Sequence, residues 1–166
     1  MAWNDPSTWV PNTVLTATQL NAEVRDNFKA IGDVSESYTP EWTASTTNPD
    51  IGNGTLAGGY KVAGKRLWIW IRITMGSTTT YGSGTQLVSL PTGLTLATGR
   101  WMLHGTARDA TDGSPYPLFG LGAGTTFVLR TLPGTAGNSL SGVNGSTPFA
   151  FADGDDIFLH GEVELA

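Results

Sequence analysis

Residues 66–75 read RLWIWIRITM, and the alternation in that stretch decides the fold. Leu67, Ile69, Ile71, Ile73 and Met75 fall on one side at a spacing of two, and Trp68, Trp70, Arg72 and Thr74 on the other. Successive side chains of an extended strand point to opposite faces, so the pattern predicts a strand with one face in a core. The other face carries two indoles and a guanidinium. It is expected to be covered too, by a neighbouring subunit or a second layer.

Working outward, residues 54–62 run through the turn Ala63-Gly64-Lys65 into this strand and predict a hairpin. Residues 100–109 alternate again, with Trp101, Leu103, Gly105 and Ala107 against Met102, His104, Thr106 and Arg108. Residues 157–165 do the same, with Ile157, Leu159, Gly161, Val163 and Leu165 inward. Shorter strands are expected at 86–90, 117–121 and 125–132, and a first strand around 38–44. That makes about eight to ten short strands with turn signals between them, the mark of a sandwich or barrel. The glycine-rich and Ser/Thr-rich loops at 76–84 and 133–147 suit long jelly-roll connections. The expected fold is all-β: a jelly-roll-like β-sandwich over 35–166, behind an N-terminal arm and one α-helix within 1–34.

Residues 1–15 hold Pro6 and Pro11, which discourage regular structure, yet Trp3, Trp9, Val10, Val14 and Leu15 are too apolar for a free tail. Such an arm needs a surface, on another subunit or on its own domain. Residues 16–31 predict the helix: Thr16 and Gln19 form a capping box, and Gly32 supplies the stop. Leu20, Val24, Phe28 and Ile31 make one apolar stripe. Ala17, Leu20, Val24, Asn27 and Ile31 also fit a coiled-coil register whose polar Asn fixes oligomer number. Two readings stand: a small parallel bundle between subunits, or a helix lying on its own sandwich. Trp3, Trp9, Leu20, Val24, Phe28 and Ile31 are the candidate assembly residues.

Only 14% of the 166 residues are charged, against roughly 25% in an average domain, so much of the surface is expected to lie against other chains. The net charge of −5 is uneven. Acids crowd the first fifty residues and the last strand, while bases crowd the middle, so the ends can pair with the middle within or between chains. No basic stripe supports nucleic-acid binding. There is no cysteine for a disulfide or thiolate site. The opening MAWNDPSTWVP has no signal-peptide pattern, and no run approaches the ~20 apolar residues that cross a bilayer. The chain is therefore expected to be made in a cytoplasm, without a membrane partner. The sequons at Asn53 and Asn144 read as turns.

No catalytic constellation emerges. There is no Gly-x-Ser-x-Gly elbow and no phosphate loop, and most acids lie in the arm, the connector or the last strand, which does not favour a shared glycosidase cleft. His104 and His160 sit on strands and pair at a metal only if those strands are neighbours. Asp153, Asp155 and Asp156 crowd a turn and read as a solvated turn before a calcium loop. Trp68, Trp70, Tyr81 and Tyr116 read as core or interface aromatics, with sugar stacking as the alternative. No cofactor is expected.

The opening Trp9…Val14-Leu15-Thr16-Ala17…Leu20-Asn21…Val24-Arg25-Asp26-Asn27-Phe28…Ala30-Ile31-Gly32 resembles an N-terminal motif of structural proteins of tailed bacteriophages, often ones infecting actinobacteria. Tyr38-Thr-Pro-Glu-Trp42, Ile51-Gly-Asn-Gly-Thr-Leu56, Ile73-Thr-Met-Gly-Ser-Thr-Thr-Thr80 and Pro148-Phe149…Gly154-Asp155 are similar to the β domain that accompanies it. The resemblance implies a non-enzymatic virion component, trimeric, with an anchor and a jelly-roll-like domain. A short chain without a shaft suits a capsid decoration or head fibre, with partners in the capsid or tail. A tail-associated module that reads host glycans is the alternative.

Overall fold

The computed structural model describes residues 5–32, 35–132 and 139–166. The chain is all-β, with one helical segment in front. Ten strands are named in chain order: β1 Glu36–Tyr38, β2 Trp42–Ala44, β3 Thr55–Ala63, β4 Arg66–Thr74, β5 Gln86–Ser89, β6 Trp101–Arg108, β7 Pro115–Ala123, β8 Thr126–Thr131, β9 Ser141–Gly142 and β10 Asp156–Glu164. Nine of them form one antiparallel path, β1-β3-β4-β10-β6-β7-β8-β5-β2, and β9 pairs with β8 beside it.

The sheet curls around a single core. β4 behaves as its alternation requires: Leu67, Ile69, Ile71, Ile73 and Met75 are all buried. From the facing strands come Leu103, Leu118, Phe127, Leu129, Ile157 and Leu159, each fully buried. Burying apolar surface contributes roughly 25 cal/mol per Å², so this layer is the main source of stability. The Tyr38 hydroxyl, at one end of the path, donates to the Ser89 carbonyl near the other end at 3.3 Å. That contact joins the two ends of the curl.

The expected strand around 38–44 is in fact two. Pro40 cannot donate to a ladder, and the chain leaves β1 at Tyr38 to re-enter as β2 at Trp42. The halves lie at opposite ends of the path. The other expected strands are present within a residue or two. Of the expected 133–147 loop, residues 133–138 lie outside the described residues, and the remainder contains β9.

The acidic end of the chain does pair with its basic middle, within the molecule. Asp156 on β10 lies 2.6 Å from Arg72 on β4 and 3.5 Å from Arg108 on β6, and Glu162 lies 3.2 Å from Arg66. Asp155 is buried, and its two carboxylate oxygens accept from the Ala110 and Ala152 amides at 2.8 and 2.6 Å. The acidic turn is therefore a packed latch and not a solvated one. At Asn144, the side-chain oxygen accepts from the Ser146 amide at 2.9 Å, the hydrogen bond of a turn.

Candidate functional site

The N-terminal unit starts as its sequence dictates. Thr16 Oγ1 accepts from the Gln19 amide at 3.2 Å, and Gln19 Oε1 accepts from the Thr16 amide at 3.0 Å. This reciprocal cap satisfies two donors that a helix start leaves free. The helix then departs from the regular form. It is α-helical over Ala17–Leu20, π-helical over Asn21–Arg25 and α-helical again over Asp26–Gly32. A π turn holds one extra residue, so the second α-helical stretch is rotated by about 100° relative to a continuous α-helix. Gly32 is the last helical residue, not the stop beyond it.

The second half of the helix lies against β3. Asn27 and Ala30 are its buried residues. Lys61 on β3 donates its ammonium to the Ile31 carbonyl, placing a cation at the negative end of the helix. The Asn27 amide donates to the Glu23 carbonyl at 3.0 Å. Asn27 is thus used inside its own chain, so the coiled-coil register that would set it between subunits does not describe this packing.

The arm folds back on the helix. Trp9 Nε1 donates to Glu23 at 2.8 Å, and the Ser7 amide and hydroxyl donate to the same carboxylate. The Ser7 and Trp9 donors hold the Glu23 carboxyl below the usual glutamate range. A small cleft of about 160 Å³ between arm and helix is lined by Pro6, Val24, Asn27, Phe28 and Ile31.

The candidate assembly residues divide as follows. Phe28 is 72% exposed and Ile31 54%, with Leu20 also exposed and Val24 half-buried. Trp9 is tied to Glu23 but keeps 48% of its surface open, and Val10, Val14 and Leu15 beside it are exposed. Trp3 lies outside the described residues. The structure therefore brings five of the six onto one N-terminal unit, where Trp9, Leu20, Phe28 and Ile31 remain exposed among the described residues.

A second open surface is the outer face of β4, β10 and β6. Trp68 and Trp70 are 42% and 38% exposed, and Met102 and Phe158 stand beside them. A shallow depression of about 320 Å³ there is lined by Trp68, Trp70, His160 and Glu162. Among the described residues, the expected cover leaves Trp68 and Trp70 still exposed. Tyr81 and Tyr116 belong elsewhere: with Phe149 and Phe151 they form a run of touching rings, at centroid distances of 6.0, 4.7 and 4.8 Å, packed against the core.

A larger depression of about 400 Å³ lies near the joined ends of the sheet, and its titratable side chains are Tyr38 and Glu41. Burial pushes the Tyr38 phenol up, well above its usual range. Neither residue is a nucleophile with a base beside it. His104 and His160 do meet, on adjacent strands. Among the described residues no three His, Cys, Asp or Glu side chains converge, and no helix is long and apolar enough to cross a membrane.

No family model, curated protein or solved structure matches this chain. Its functional reading rests on its own residues and surfaces.

Proposed function

We propose that this chain is a non-enzymatic structural subunit of a tailed-phage particle, a trimeric capsid decoration or short head fibre anchored by its N-terminus. The observation that carries the reading is the exposed apolar load on residues 5–32. Phe28, Ile31, Leu20, Val10 and Val14 stand in water on a unit too small to bury them itself. Apolar patches of this kind on a small element mark protein–protein contacts. The buried core cluster of the β domain behind it draws no side chain from residues 5–32. The resemblance of residues 9–32 to a virion-protein motif supports the same division of labour.

The test is assembly. A chain lacking residues 1–32 is expected to keep a folded β domain and to stay off the particle. Phe28→Ser with Ile31→Ser in the full chain is expected to do the same, because both residues lie outside the core. Full occupancy of either variant on particles, measured by quantitative gel analysis, rules the anchor out.

Trp68 and Trp70 favour a second reading, a tail-associated module that stacks host glycans on two open indoles. A glycan array with the isolated protein separates the readings. Binding that vanishes in Trp68→Ser or Trp70→Ser while assembly persists supports the glycan module.

A further inference from the structure

We propose that His104 and His160 form an open two-imidazole site for a first-row transition-metal dication such as nickel, zinc or copper(II). The two residues are direct partners across the antiparallel β6–β10 pair. Their ring centroids stand 4.4 Å apart, with the planes at 68°. Both side chains are exposed on the outer face.

The platform is rigid. β6 and β10 both have neighbours on each side in the sheet. The strands approach so closely that a Cβ on Gly105, next to His104, would stand 1.8 Å from the Phe158 carbonyl oxygen. An imidazole nitrogen binds such a metal at about 2.0–2.1 Å, so one ion joins two nitrogens roughly 3 Å apart. Rings with centroids 4.4 Å apart reach that separation by rotating about their own side-chain bonds.

The surroundings are largely aromatic. His160 faces Trp70 on β4, and His104 faces Phe119 on β7. Phe158 lies along the strand, its ring 5.5 Å from that of His160. No lysine or arginine is paired across from either histidine. Of the charged groups nearest on this face, Glu162 is tied to Arg66, and Arg72 and Arg108 to Asp156. Imidazole is a ligand of choice for these ions, with affinity rising from nickel to copper. With only two protein ligands, the remaining positions are filled by water. The site is therefore exchangeable, unlike a closed structural zinc centre. It stands independently of the proposed assembly role.

The test is calorimetric titration of the full chain with nickel or zinc, and of copper(II) followed by electron paramagnetic resonance. Each is repeated on His104→Gln, His160→Gln and the double variant. The expected result is saturable binding of one ion per chain with nitrogen couplings in the copper spectrum. Both are lost in either single variant while the melting temperature holds. A dissociation constant above about 1 mM overturns the proposal. So does binding that persists undiminished in the double variant, or that depends on only one of the two histidines.

Discussion

Gly58 and Gly59 let rings lie on both faces of β3. A Cβ on Gly58 would stand 2.4 Å from the Tyr38 ring, and one on Gly59 would stand 2.5 Å from the Trp70 indole. Gly58→Ala is expected to push Tyr38 out of its place and cost about 1–3 kcal/mol in urea denaturation, the usual range for overpacking. Gly59→Ala displaces an indole that is already half in solvent, so its main effect is a change in tryptophan emission. Asp155 illustrates the opposite case, a polar residue that the core depends on. Asp155→Ala leaves the Ala110 and Ala152 amides without their acceptor, at about 1–3 kcal/mol for each donor that stays buried. Ile71→Ala, in the fully buried row of β4, is expected to cost about 2–5 kcal/mol. Of these, only Ile71 is legible in the sequence. A buried isoleucine follows from alternation, whereas the burial of Asp155 depends on amides that only the folded loop brings to it.

At the scale of elements, the arm and helix are held together through Glu23. The folded state lowers the pKa of this carboxyl, so the charged form is the one the contact stabilises. That contribution is fully present above the ordinary glutamate range and is lost as the pH falls through the lowered value. The arm is therefore expected to leave the helix in acid, as the pH falls below the ordinary glutamate range. The measurement is the emission difference between the native chain and Trp9→Phe, followed against pH. Glu23→Gln should flatten the transition. The start of this helix is readable because Thr16 and Gln19 are a chemical signal on the local chain. Its middle is not, since nothing in Asn21-Ala-Glu-Val-Arg25 marks a π turn, and the phase shift it imposes decides that Asn27 turns inward and Phe28 outward. The strands divide in the same way. β4, β6 and β10 alternate cleanly because one face is packed, while β1 and β2 are three residues each and too short to show a period.

At the scale of the molecule, the curl has a complete interior without the N-terminal unit. Leu96 and Leu165 form a bridge, and Met75 accepts from the Gly154 amide and donates to the Asp155 carbonyl, so the loops close over the core. Residues 35–166 alone are expected to melt in one cooperative transition, measured by circular dichroism. Loss of that transition would mean that the helix is part of the fold. The general architecture is open to a reader of the sequence, because alternation and turn spacing report a packed sheet. The order of its strands is not, because topology depends on pairings between segments far apart in the chain. The least foreseeable pairing is also the one with a mechanical meaning. β1 and β2 are consecutive, yet they cap opposite ends of the path, so Thr39, Pro40 and Glu41 act as a clasp across its rim. Three residue pairs hold β1 to β3, Glu36 with Tyr60, Ser37 with Gly59 and Tyr38 with Gly58. The β4–β10 seam has nine such pairs, so the rim is closed by far fewer ladder contacts than the body it encircles.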